Sequence, residues 1–126
     1  MIRVLLCDDQ SIVTEGLRVI LRQAGDIEVI GVAENGADAV EAVAQRQPDV
    51  VLMDLRMPVM NGIQATERIR QQHPATRVLV CLHHHGPIGR VFKESYDCAA
   101  GRREADLKAD IRRDYALVAN AKEVLI

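Results

Sequence analysis

Pro48–Gly62 is the stretch that decides the fold, and it reads Pro-Asp-Val-Val-Leu-Met-Asp-Leu-Arg-Met-Pro-Val-Met-Asn-Gly. Val50–Met53 is a continuous apolar run without alternation, which is typical of a strand buried on both faces of a parallel sheet. The run ends in the carboxylate of Asp54, and Asn61-Gly62 then predicts a turn before a helical pattern. Asp54 is therefore expected at the carboxyl end of a central strand, the edge where ligands bind in open α/β sheets.

Strand and helix patterns alternate from the start of the chain to Leu82. Apolar runs predict further strands at Ile2–Cys7, Glu28–Ala33 and Arg77–Leu82. Apolar positions at helical spacing predict a helix after Ser11, which is a suitable capping residue, and two more helices at Ala37–Arg46 and Ile63–Gln72. Such alternation predicts right-handed crossovers and a parallel sheet.

Length and composition predict one domain, residues 1–126, without a membrane or nucleic-acid surface of its own. The formal net charge is −2 and the aromatic content is 2%, so neither a basic patch nor a base-stacking platform is indicated. No apolar stretch has the length of a transmembrane helix. Because the first residues enter a strand directly, without the layout of a signal peptide, a cytoplasmic location is expected.

The three cysteines, Cys7, Cys81 and Cys98, show no Cys-x-x-Cys spacing. An odd number of cysteines in such a chain indicates reduced thiols. Cys7 and Cys81 lie in apolar runs and are expected to be small core residues.

An acidic pair elsewhere in the chain changes the interpretation of Asp54, which by itself could equally be a capping or loop residue. Asp8-Asp9 also follows an apolar run. Two segments carry a family resemblance, Leu5-Leu6-Cys7-Asp8-Asp9-Gln10 and Met53-Asp54-Leu55-Arg56-Met57-Pro58-Val59-Met60-Asn61-Gly62. Together they resemble the receiver domain of two-component response regulators. It is most similar to the subfamily that carries a LuxR-type helix-turn-helix after the receiver. The resemblance covers about two thirds of the chain, up to Val80.

The resemblance implies a flavodoxin-like, doubly wound parallel sheet of order 2-1-3-4-5, in which both acidic segments leave adjacent strands at one edge. Converging carboxylates repel one another, and a divalent cation with oxygen ligands, Mg²⁺, resolves that conflict. Asp9 and Asp54 are the expected direct ligands, and Asp8 is expected to act through water. The family adds the backbone carbonyl of Arg56 as a further ligand.

The resemblance also implies a function in signalling rather than in metabolism as an enzyme. Asp54 would accept a phosphoryl group from a phosphohistidine of a sensor histidine kinase, or from a small acyl phosphate. The output would be regulation of transcription, with DNA contacted only by an effector domain absent from this chain. The alternative is a degenerate receiver that acts as a phosphorylation-independent interaction or dimerisation module. A Mg²⁺-dependent phosphatase is disfavoured because Arg56 occupies the position where that class has a second acid.

Residues 83–126 depart from the family pattern. The family has a serine or threonine where Leu82 or His83 stands here, and Lys108 is the best candidate for its lysine. His83-His84-His85 is interpreted as a solvated loop, since adjacent side chains on an extended segment diverge and do not share one metal ion.

The fifth strand of the family is doubtful in this sequence. Arg103–Leu125 has the pattern of a long amphipathic helix, with Leu107, Ile111 and Tyr115 on its apolar face. A strand displaced to Tyr115–Ala119 or Val124–Ile126 is the alternative. A four-stranded sheet leaves an edge or a face uncovered, which the long helix could cover in the same molecule or in a neighbour. Self-association as a homodimer through Phe92–Ile126 is expected, with exchange of that segment as one route.

Overall fold

The computed structural model describes residues 1–81 and 107–116. Strands and helices alternate along the first part, as the sequence predicts. Their bounds are β1 (Ile2–Cys7), α1 (Ser11–Arg22), β2 (Ile27–Ala33), α2 (Gly36–Arg46), β3 (Val50–Asp54), α3 (Gly62–Gln72) and β4 (Arg77–Cys81). A further helix spans residues 107–116. Within the described ranges, no helix is long and apolar enough to cross a membrane.

The four strands form one parallel sheet in the order β2-β1-β3-β4. This confirms the flavodoxin-like, doubly wound topology and the first four positions of the expected order. All five residues of β3 are buried, since helices cover both faces of the sheet beside it. That burial explains why Val50–Met53 shows no alternation. The segments considered for a fifth strand lie outside the described residues, except for the start of one of them.

Alternating residues of the strands divide the interior into two cores. On β1, Leu6 belongs to the core shared with α1 and the 107–116 helix, whereas Leu5 belongs to the core shared with α2 and α3. The same division on β3 separates Leu52 from Val51. This period of two places helices on both faces of the sheet.

The 107–116 helix covers the sheet within its own chain. Leu107 and Ile111 are 7% and 0% exposed in the core shared with α1, and Tyr115 packs against that core. The guanidinium of Arg112 donates two hydrogen bonds to the carboxylate of Asp26, at 2.6 and 2.8 Å. The amphipathic helix is thus confirmed over residues 107–116. The displaced strand at Tyr115–Ala119 is wrong at its start, because its first two residues are helical.

The starts of α1 and α3 show one wrong and one correct local prediction. Ser11 does not cap α1, because the residue with extended backbone before that helix is Gln10, whose side chain makes no capping hydrogen bond. The Gln10 backbone N–H instead donates to Oδ1 of Asp8 at 2.9 Å, which turns the chain into the helix. At α3 the predicted turn is a capping box between Asn61 and Gln64.

Candidate functional site

The acidic residues of the two strand ends meet at the carboxyl edge of the sheet. Cys7 of β1 is the register partner of Met53 of β3, so Asp8 and Asp54 follow at the same level of neighbouring strands. One carboxylate oxygen from each of Asp8, Asp9 and Asp54 lies within 4.8 Å of the other two. We call these three residues the acidic cluster. Parallel pairing produces this arrangement, since β1 and β3 end at the same edge.

The three residues of the acidic cluster differ in burial, and burial strengthens the repulsion between their carboxylates. Asp8 and Asp54 are 3% and 6% exposed, whereas Asp9 is exposed. Two unit charges separated by 4.8 Å repel by about 1 kcal/mol in water and about 3 kcal/mol at an effective dielectric constant near 20. A divalent cation would reverse the sign of these interactions. The cluster can therefore hold a cation that prefers oxygen ligands.

The neighbouring thiol of Cys7 cannot take part in this chemistry. Cys7 is 2% exposed and packs in the core shared with α2 and α3. Burial raises the pKa of its thiol far above the usual range, and the negative charge of Asp8 raises it further. Because only a thiolate is a good ligand or nucleophile, Cys7 is an inert core residue, as the sequence predicts.

The loop between β3 and α3 holds an unusual backbone conformation beside the acidic cluster. The Arg56 backbone N–H is directed at Oδ1 of Asp54, at a long 3.4 Å. The Met60 N–H donates to the Pro58 carbonyl at 2.8 Å, and Val59 between them has a φ of 69°. This is the pattern of a γ-turn with a positive central φ, a strained form that is rare for a β-branched residue.

Gly62 closes this loop against the end of β3. Its N–H donates to the Leu55 carbonyl at 3.0 Å. A Cβ at this position would overlap the carbonyl oxygen of Asp54 and lie 2.8 Å from Cα of Leu55. The sequence identified Gly62 only as part of a turn and missed this close approach. The available signal was a glycine at the first position of the helix that follows the acidic residue.

The remaining residues that the sequence singled out occupy different places. The Arg56 backbone lies next to Asp54, and its side chain is exposed. Leu82 and His83 lie outside the described residues. Lys108 is half-buried inside the 107–116 helix and not at the end of a strand. Its role as the family's lysine stays a prediction.

Comparisons with known proteins agree with this geometry. The sequence model of the response regulator receiver domain matches residues 4–91, more than two thirds of the chain. The transcriptional regulatory protein LnrK of Bacillus subtilis is 44% identical over 80 residues, which cover 64% of this chain and 36% of LnrK. A protein-glutamate methylesterase/protein-glutamine glutaminase of Geobacter metallireducens is 50% identical over 80 residues, 64% of this chain and 23% of the enzyme.

A solved structure extends the likeness to the fold. A LuxR-family two-component response regulator from Aurantimonas is 28% identical, with a TM-score of 0.76 and coverage of 98% of both chains. The curated relatives are much longer than this chain, which spans about a third of LnrK and a quarter of the methylesterase. The family model matches residues 4–91, and the acidic cluster lies at the paired ends of β1 and β3. The chain therefore belongs to the response regulator receiver domain family.

Proposed function

We propose that the chain is a phosphoacceptor domain of a two-component system and that Asp54 receives the phosphoryl group. The observation that carries the proposal is the acidic cluster. Asp54 is 6% exposed there, and one of its carboxylate oxygens lies within 4.8 Å of an oxygen from each of the other two carboxylates. At this position water has restricted access to Asp54, and the carboxylates of the acidic cluster can bind a cation. Both favour a phosphoryl transfer that depends mainly on positioning and on electrostatics.

The transfer requires little of the protein beyond a positioned nucleophile. A carboxylate oxygen of Asp54 forms a bond to phosphorus as the bond to the donor breaks. With a phosphohistidine of a sensor histidine kinase, the leaving group is an imidazole nitrogen, which ends protonated. With a small acyl phosphate, the leaving group is a carboxylate. The product in both cases is an aspartyl phosphate on this chain.

The cation proposed for the acidic cluster is Mg²⁺, which favours oxygen ligands and keeps several waters. Asp9 and Asp54 would ligate it directly, Asp8 through water, and Arg56 through its backbone carbonyl. When bound, Mg²⁺ would neutralise the charge on the transferring phosphoryl group. The chain's own contribution is to hold three carboxylates together despite their repulsion, which the pairing of β1 with β3 achieves.

The output of phosphorylation is proposed to pass to an effector domain outside this chain. LnrK is named a transcriptional regulator, and the Aurantimonas protein belongs to the LuxR family. Control of transcription is therefore the leading proposal, with DNA contacted by the effector domain. The enzyme from Geobacter metallireducens is named a methylesterase and glutaminase, so an enzymatic effector is the second candidate. A cytoplasmic location stays a prediction from the sequence.

Switching and self-association are further parts of the proposal. Leu82 and His83 would replace the hydroxyl that the family uses to sense the phosphoryl group, and Lys108 would replace the family's lysine. Self-association through Phe92–Ile126 also stays a prediction. Light scattering at high protein concentration tests it, and a strictly monomeric protein would contradict it.

Intact-mass spectrometry after incubation with an acyl phosphate and Mg²⁺ tests the proposed function. We expect one labile phosphoryl adduct that disappears in Asp54→Asn and when the metal is chelated. Asp38→Asn is a matched control, since it changes the same side chain at an exposed position of α2. A folded protein that binds Mg²⁺ but gives no adduct would reject the phosphoacceptor function. The phosphorylation-independent interaction module would then be the better description.

A further inference from the structure

A backbone hydrogen bond joins the start of α2 to the loop beside the acidic cluster. The Gly36 N–H, at the first residue of α2, donates to the Met60 carbonyl at 2.8 Å. The first N–H groups of a helix have no partner within the helix. The Asn35 side chain caps α2 through the N–H of Asp38, also at 2.8 Å. The Gly36 N–H is thus available to the loop without cost to the helix.

The approach between these two segments is possible only because residue 36 is a glycine. A Cβ on Gly36 would overlap the Met60 carbonyl oxygen, and it would lie 2.8 Å from the carbonyl carbon and 2.9 Å from Cβ of Met60. Most of these atoms belong to the backbone or lie next to it, so a side-chain rotation cannot relieve the overlap. Any larger residue would push the loop away by a distance on the order of 1 Å.

The loop needs such a contact because its conformation is strained. Val59 holds its φ of 69° although its side chain is 87% exposed, so packing of that side chain does not enforce the turn. A strained backbone persists only when its surroundings over-determine it. The hydrogen bond from Gly36 fixes the loop on one side, and the hydrogen bond from Gly62 to Leu55 closes it on the other.

Displacement of Met60 would reach the metal site through a stiff connection. Between Met60 and Arg56, Met57 is 9% exposed in the core shared with α2 and α3, and Pro58 has a restricted φ. We propose that Gly36 is a positioning residue for the metal site, because its contact with Met60 fixes the loop that carries the Arg56 carbonyl. This inference rests on the proposed Mg²⁺ binding by the acidic cluster.

The test is a Mg²⁺ titration followed by amide resonances and by calorimetry, on the whole chain. Gly36→Ala is expected to weaken Mg²⁺ binding by about 10- to 100-fold, the effect usual for loss of a residue that supports metal ligands. Gly16→Ala is the matched control, because a Cβ on that α1 residue meets no atom within 4 Å. Its Mg²⁺ affinity should equal that of the wild type.

Two further measurements separate positioning from general stability. In the wild type, the Gly36 amide should shift during the titration with the same midpoint as the Arg56 amide, while the Gly16 amide stays constant. Adding Val59→Gly to Gly36→Ala should recover part of the affinity, because glycine adopts the positive φ without strain. The wild-type resonances remain informative even if Gly36→Ala does not fold.

The outcomes distinguish this inference from the proposed function. A folded Gly36→Ala protein with wild-type Mg²⁺ affinity, or a Gly36 amide that stays constant in the wild type, would overturn the role of Gly36 alone. If Asp54→Asn binds Mg²⁺ as tightly as the wild type does, the proposed metal site at the acidic cluster would be overturned instead.

Discussion

The 107–116 helix offers the most direct test of the fold through Ile111→Ala. Ile111 is 0% exposed and lies in the core shared with α1. The substitution removes three methyl or methylene groups, each worth about 0.8 kcal/mol when buried. With a contribution from the cavity left behind, the expected loss in the free energy of unfolding is about 3–4 kcal/mol. This is a large share of the roughly 5–15 kcal/mol typical of a domain.

Ile12→Ala is the matched control, since it makes the same change in helix α1 at a side chain that is 81% exposed. Its effect should stay within about 0.5 kcal/mol, because no buried area is lost and alanine favours the helix. Urea unfolding followed by circular dichroism measures both variants. The midpoint for Ile111→Ala should fall by about 1–4 M relative to the control, since the urea slope of small proteins is about 1–3 kcal/mol per M.

A difference between the two variants below about 1 kcal/mol would refute the packing of the 107–116 helix on the sheet. The same experiment at two protein concentrations tests exchange of the C-terminal segment between copies. If a second copy supplied Ile111, the unfolding midpoint would rise with protein concentration. If Ile111 packs within its own chain, as the structure describes, the midpoint is expected to be independent of concentration.

Three further predictions concern Gly62 and two acidic residues. Gly62→Ala should cost about 1–3 kcal/mol of unfolding free energy, because the added Cβ overlaps backbone at the end of β3. Gly16→Ala is the control and should stabilise α1 by about 0.5–1 kcal/mol. A similar result for both variants in urea unfolding would contradict the close approach at Gly62. Burial raises the pKa of Asp114, so the free energy of unfolding should fall as pH rises from the usual aspartate range through that raised pKa. Asp114→Asn should remove this fall, and an unchanged pH profile would argue against burial of that carboxyl. The hydrogen bonds from Arg112 lower the pKa of Asp26, so this pair should stabilise the fold at neutral pH and lose its effect as pH falls through the lowered pKa. Asp26→Asn should flatten the loss of stability at acid pH, and added salt should weaken the wild-type pair because it is exposed.

The sequence alone was sufficient for the order of strands and helices up to β4 and for the place of Asp54 at a strand end. Both follow from local patterns, since a strand buried on two faces needs a continuous apolar run and a turn needs Asn-Gly. The convergence of Asp8 and Asp54 needed more. It followed from the resemblance to a family whose strand order was known, because periodicity does not reveal which strands are neighbours.

The tertiary structure decided the contacts between residues that are distant in the chain. Asp26 and Arg112 are separated by 86 positions, and no local pattern in the sequence connects them. Gly36 belongs to an Asn-Gly turn by its local sequence, yet its contact with Met60 arises only when α2 packs beside the β3–α3 loop. The positive φ of Val59 likewise has no local signal, because a β-branched residue avoids it unless the surrounding backbone imposes it. Local patterns determined which elements form, and packing determined which backbones touch, because contact between distant segments depends on the shape of the whole fold.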